Sequence, residues 1–118
     1  MELSPGTIHY LATALWSTSD YNEADNLDDR YDVDDISEAF KAKAEADFQL
    51  FLEITSGQLL WADGETDDLA KIGHDFWLTR NRHGAGFWDG DYENGDAITE
   101  IVHKHFPQND EELRQAVG

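Results

Sequence analysis

A chain with twenty-six acidic side chains and eight basic ones must overcome its own repulsion before it can fold. The formal net charge is −18 with histidines neutral. Such a surplus keeps a protein soluble and opposes compaction. Folding then requires apolar residues in phase on one side of each element, with the acids on the other. Over 118 residues, 40% are apolar and 12% aromatic, enough for one core, and the length suits a single domain over 1–118. Apolar spacing persists between the acidic runs, which argues against disorder.

The same charge excludes direct binding to nucleic acid, whose phosphates need a positive surface. The lack of cysteine excludes disulfides, thiolate metal sites and thiol catalysis together. No run of eighteen apolar residues is present, so no membrane partner is expected. The start, MELSPGTIHY, lacks a basic region followed by an apolar stretch. The expected location is the cytoplasm.

Apolar periodicity predicts a mainly α fold: a small bundle of four to five helices with a glycine-hinged loop. Ser4-Pro5 reads as a helix start, and Ile8, Leu11, Ala12, Leu15 and Trp16 recur in phase over about 5–17. An extended acidic loop is expected over about 17–35, with Arg30 as its one base and Tyr21, Leu27, Tyr31 and Val33 as anchors to the core. Ile36, Phe40, Ala44, Phe48 and Leu52 step by four, with Phe51 alongside, predicting a helix over about 35–55. Thr66 can cap a third helix, in which Leu69, Ile72, Phe76 and Arg80 share a stripe. This helix runs to about Asn81, and Gly84 serves as its C-terminal glycine. The competing reading makes FWLTRN and GFWDGD a short β-hairpin around HGAG. Asp96 can cap a fourth helix with Ile98, Ile101, Val102 and His105 in phase, stopped by Pro107. Asp110 can cap a short tail helix, and no internal repeat is evident.

Basic and aromatic residues concentrate in HDFWLTRNRHGAGFWDGD, residues 74–91. One reading is a small-ligand or partner site in which His74, Asp75, Arg80, Arg82 and His83 supply polar groups and Trp77 or Trp88 a platform. The preferred reading is structural: Arg80 and Arg82 pair with acids while the two Phe-Trp dipeptides fill the core. No metal centre is expected. His74-Asp75 is a lone pair of metal-phosphohydrolase type, and His9, His103 and His105 fall in no ligating pattern. In 89–100, Asp89, Asp91, Glu93 and Glu100 fit a calcium loop, but its position six is Asn94 rather than glycine. No serine has a nucleophile elbow and no phosphate loop occurs, so neither enzyme activity nor a cofactor is expected.

The motif HDFWLTRN-x-HGAGFWD resembles that of a widespread family of small proteins encoded by bacteriophages and prophages. The similarity extends through ALWSTSD, LDDRYDVDDI and ADFQLFL, covering most of residues 10–92. Relatives of this type finish with a strand-like segment, whereas this chain ends FPQNDEELRQAVG. The resemblance implies a mobile-element origin and carries over no catalytic residue.

Three readings of the acidity stand side by side: a solvated surface, adaptation to high salt, and imitation of the phosphate array of DNA. Scarce lysine fits salt adaptation, but arginine is equally scarce, four of each. With the phage-type resemblance, the expectation is an acidic interaction protein that inhibits a host DNA-binding defence protein, a nuclease or CRISPR component, by DNA mimicry. The carboxylates expected to meet that basic partner are Asp20, Glu23, Asp25, Asp28, Asp29, Asp32, Asp34 and Asp35, joined by Asp63, Glu65, Asp67 and Asp68. The alternative is a phage accessory protein that binds a ligand or protein through 80–88.

Overall fold

Pro5 opens the first helix, α1 (Pro5–Ser17), where its fixed φ is already helical and its missing N–H costs nothing. Ser4 does not cap that helix through its side chain. Its N–H and hydroxyl instead donate to Glu45 Oε1 and Oε2 at 2.6 and 3.2 Å, tying α1 to the next helix. The computed structural model describes residues 3–18, 26–55, 69–82, 86–87 and 95–117. These residues form five α-helices and two 3-10 turns.

Helix α2 (Glu38–Ile54) starts at Ser37, whose Oγ accepts Phe40 N–H at 3.2 Å. It begins later than the expected residue 35. Ile36 is bridged antiparallel to Val117, and Ser37 N–H donates to the Ala116 carbonyl at 2.8 Å. Ala44, Asp47, Phe48 and Phe51 form its buried stripe, while Phe40 and Leu52 are half-buried.

Helix α3 (Leu69–Arg80) lies in the middle of the fold, and Asp75 through Arg80 are all buried. It packs chiefly on α1. The approach is backbone to backbone, because a Cβ on Gly73 would fall inside the Gly6 carbonyl. No other residue type permits that contact. The hairpin reading fails because Phe76–Asn81 continues as helix and turn. After the helix, Arg82 is left-handed with φ 61°, and Gly84 lies outside the described residues.

Helix α4 (Gly95–His105) buries Ile98 and Val102. Asp96 sits inside its first turn rather than at its cap. The inward histidine is His103, whose Nε2 donates to the Thr79 carbonyl at 3.0 Å, while His105 is exposed. The N-cap position of helix α5 (Asp110–Ala116) is Asn109, one residue before the expected Asp110, and its side chain makes no capping bond. The tail is helical to Ala116, as expected, and Val117 bridges Ile36.

Six aromatic rings make the centre of the core. Phe51 stacks on Phe76 at 4.5 Å and on Phe87 at 5.4 Å. Phe106 meets Phe76 edge-on at 4.9 Å, and Trp77 meets Tyr10 edge-on at 5.2 Å. Burying an apolar side chain of this size contributes about 1.5–3 kcal/mol, so this cluster is what offsets the self-repulsion of the chain.

Candidate functional site

Two successive 3-10 turns, Leu27–Asp29 and Val33–Asp35, form the described part of the acidic segment. They repeat one pattern six residues apart: Asn26-Leu27-Asp28-Asp29, then Asp32-Val33-Asp34-Asp35. The last carboxylate of each turn reaches back to the N–H that opens it. Asn26 N–H donates to Asp29 Oδ2 at 3.1 Å, and Asp32 N–H donates to Asp35 Oδ2 at 2.9 Å. Leu27 is buried and Val33 half-buried, which pins both turns to the core. Asp28, Asp29, Asp32, Asp34 and Asp35 are all exposed.

Residues 26–35 therefore correct one expectation, the extended loop, over this part of the segment. Short carboxylate side chains offer the backbone local acceptors that compete with longer helix, so each turn closes on itself. The sequence signal was an Asp-Asp pair after an aliphatic residue, recurring at a spacing of six. It is easily missed because the first residue changes from Asn to Asp and the second from Leu to Val.

The positive side chains are largely engaged elsewhere. Lys41 pairs with Glu38, Lys43 with Asp47, Lys71 with Asp75, Arg80 with Asp47 and Arg114 with Glu111. Lys41 holds the Glu38 carboxyl below its ordinary range through a hydrogen bond. Exposed carboxylates are not confined to the turns, since Glu53, Asp96, Glu100, Glu111 and Glu112 also face water on α2, α4 and α5. Asp20, Glu23, Asp25, Asp63, Glu65, Asp67 and Asp68 lie outside the described residues, as does Tyr21.

The motif of 74–91 supplies a buried polar node. Arg80 is 5% exposed. Its Nη1 donates to Asp47 Oδ2 at 2.8 Å and to the Tyr10 hydroxyl at 3.2 Å, and its Nε donates to the Pro107 carbonyl at 2.7 Å. The guanidinium carbon also lies 5.5 Å from the centre of the Phe106 ring. Asn81 extends the node: its Nδ2 donates to Asn109 Oδ1 at 2.9 Å, and its Oδ1 accepts the N–H groups of Asn109 and Asp110 at 2.7 and 3.0 Å. The start of α5 is thereby fastened to the end of α3. Burial pushes the Tyr10 phenol above its ordinary value, and the nearby Arg80 guanidinium partly offsets this.

These contacts place Arg80 in the structural role. Trp77 is fully buried, with its indole N–H donating to Ser17 Oγ at 2.8 Å, so it offers no platform to a ligand. Phe76 and Phe87 fill the core as expected. His74 and Arg80 do not converge. His74 lies toward the exposed Trp16 ring at 5.8 Å, and its Nδ1 is 3.0 Å from Oδ1 of the buried Asp75. Arg82 is exposed, and His83 and Trp88 lie outside the described residues.

Among the described residues no three His, Asp or Glu side chains gather as a metal-binding group. In the calcium-like stretch, helix α4 already begins at Gly95, so Glu100 sits within a helix rather than at the end of a loop; Asp89, Asp91 and Glu93 lie outside the described residues. No described helix is long and apolar enough to cross a membrane. No family model matches the chain, and neither a curated protein nor a solved structure matches it.

Proposed function

We propose that this is an acidic interaction protein of phage type that inhibits a host DNA-binding defence protein by taking the place of DNA. The observation that carries this reading is the tandem turn of 26–35. It holds five exposed carboxylates on a backbone braced by its own side chains. Duplex DNA presents about one charge per 1.7 Å of axis, and a groove lined with lysine and arginine is built to meet such an array. Carboxylates held in place lose little freedom on binding, which favours affinity. Five cations pair within the chain, and the formal charge of −18 remains to favour a basic partner. Association with a basic groove would be fast and sensitive to salt.

The test is displacement of labelled duplex DNA from purified CRISPR effectors and restriction enzymes of a phage-sensitive host. At least one of them should release DNA. The effect should weaken steeply between about 50 and about 200 mM salt, as phosphate-type contacts do. Changing Asp28, Asp29, Asp32, Asp34 and Asp35 together to Asn should remove it. Displacement that ignores salt, inhibition retained by the neutralised variant, or no displacement across the panel each sinks the reading.

A further inference from the structure

Helix α1 breaks the charge pattern of the molecule. From Leu3 to Ser19 there is no Asp, Glu, Lys or Arg, whereas each of the other four helices carries both signs. Its inner side is buried at Gly6, Tyr10, Leu11, Ala14 and Leu15. Its outer side is also apolar: Pro5, Ile8, Ala12 and Trp16 are exposed, with Ile8 at 44% and Trp16 at 45%, and His9 is the polar member. A surface helix that is apolar on both sides has one side left over for a partner.

We propose that a second copy of this chain covers it, with two α1 helices crossing antiparallel about a twofold axis at Ala12. Charge is the first argument. Each copy carries −18, so two copies can approach most closely along a helix that itself bears no carboxylate, and among the described helices α1 is that one. The same side offers nothing to pair with the lysines and arginines of a basic partner.

Register is the second argument. Ile8 and Trp16 each lie four residues, about 6 Å of helix axis, from Ala12. A twofold contact requires that residue i meets j and j meets i. Pairing about Ala12 sets Ile8 of one copy against Trp16 of the other, twice, and the small residue at the centre lets the helices come close. The Trp16 ring already leans on His74 at 5.8 Å and 33°. A half-exposed indole of this kind is a typical anchor of binding energy. Along the Ile8 flank, a groove is lined by Leu3, Pro5 and Val33 and also by Asp34, Lys41 and Glu45, so charge borders the contact on that side. Glu45 in that groove is held by Ser4.

Asp34 borders both surfaces, and salt separates this inference from DNA mimicry. Binding to a basic groove weakens as salt rises, whereas association of two −18 copies strengthens as their repulsion is screened. Sedimentation velocity of the full chain, from about 10 µM to about 1 mM, covers weak to moderate association. We expect a monomer–dimer equilibrium that shifts toward dimer between about 0.1 M and about 1 M NaCl, where the Debye length falls from about 10 Å to about 3 Å. Ala12→Glu should weaken it by about thirty-fold or more, as loss of a central contact does, with helical circular dichroism unchanged. Because the chain has no cysteine, Ala12→Cys should form an intermolecular disulfide under mild oxidation far faster than Glu53→Cys on exposed α2. A monomer at every concentration and both salts, a dimer that survives Ala12→Glu, or equal crosslinking of the two cysteine variants overturns the proposal.

Discussion

The Asp28–Asp35 segment and the Asp47–Arg80 node use the same side chain in opposite settings. In the first, five carboxylates stand in water, and those of Asp29 and Asp35 accept N–H groups of their own turns. In the second, Asp47 is 5% exposed and accepts Arg80 at 2.8 Å on one oxygen and Lys43 at 2.8 Å on the other. The difference lies in what stands opposite. A carboxylate enters the interior only when a cation and hydrogen bonds meet it there, because an unpaired buried charge costs several kcal/mol. The few bases therefore decide which acids are structural, and the rest become surface.

The largest expected effect tests the node. Arg80→Ala should destabilise by about 3–5 kcal/mol in urea denaturation, because it leaves Asp47 buried with only the exposed Lys43 beside it. Adding Asp47→Leu should recover part of that loss. A cost below about 1 kcal/mol would make the node no better than a surface pair and end the comparison. Next is Gly73→Ala, whose added methyl would press into the Gly6 carbonyl. An overpacking cost of about 1–3 kcal/mol is expected in the same assay. Arg82→Gly should act the other way. Relieving φ 61° on a residue with a Cβ should raise the melting temperature, by roughly 0.5–1 kcal/mol of stability.

The acidic side of the comparison predicts small numbers. Asp28→Asn with Asp34→Asn should change stability by no more than roughly 0.5 kcal/mol, and in the favourable direction at low salt, since both side chains are exposed and repelled by the rest of the chain. A large loss would mean that these acids hold the fold together. The last effect is invisible at neutral pH. The folded-state pKa of Tyr10 is raised, so its contribution to stability is fully present below the unfolded value near 10. That contribution declines as pH rises from there and is lost through the folded value. Denaturation midpoints followed above pH 10 should fall more steeply for the native chain than for Tyr10→Phe.

Much of the helical frame was legible because periodicity is a local signal. Pro5–Ser17 begins and ends as read, and Phe48, Phe51, Phe76 and Ile98 are buried on the stripes that named them. The preference for a structural role of Arg80 was legible too, since so few bases were available to so many acids. Errors fell where side chains compete for one backbone position. Ile36 left the expected start of α2 to bridge Val117, and Asn109 took the N-cap position expected of Asp110. Each of those choices depends on a neighbour far along the chain or on a local hydrogen bond that spacing does not reveal.

By itself, then, the order of residues determined a helical chain with one aromatic core and a surplus of acid, because apolar phase and net charge are properties of the string. Only tertiary structure decided which aspartates are buried, since Asp47 meets Arg80 across thirty-three residues of sequence. It alone brought Gly6 against Gly73 and left the charge-free side of α1 facing outward. Pairing and close approach depend on distance in space, and the sequence carries no measure of that distance.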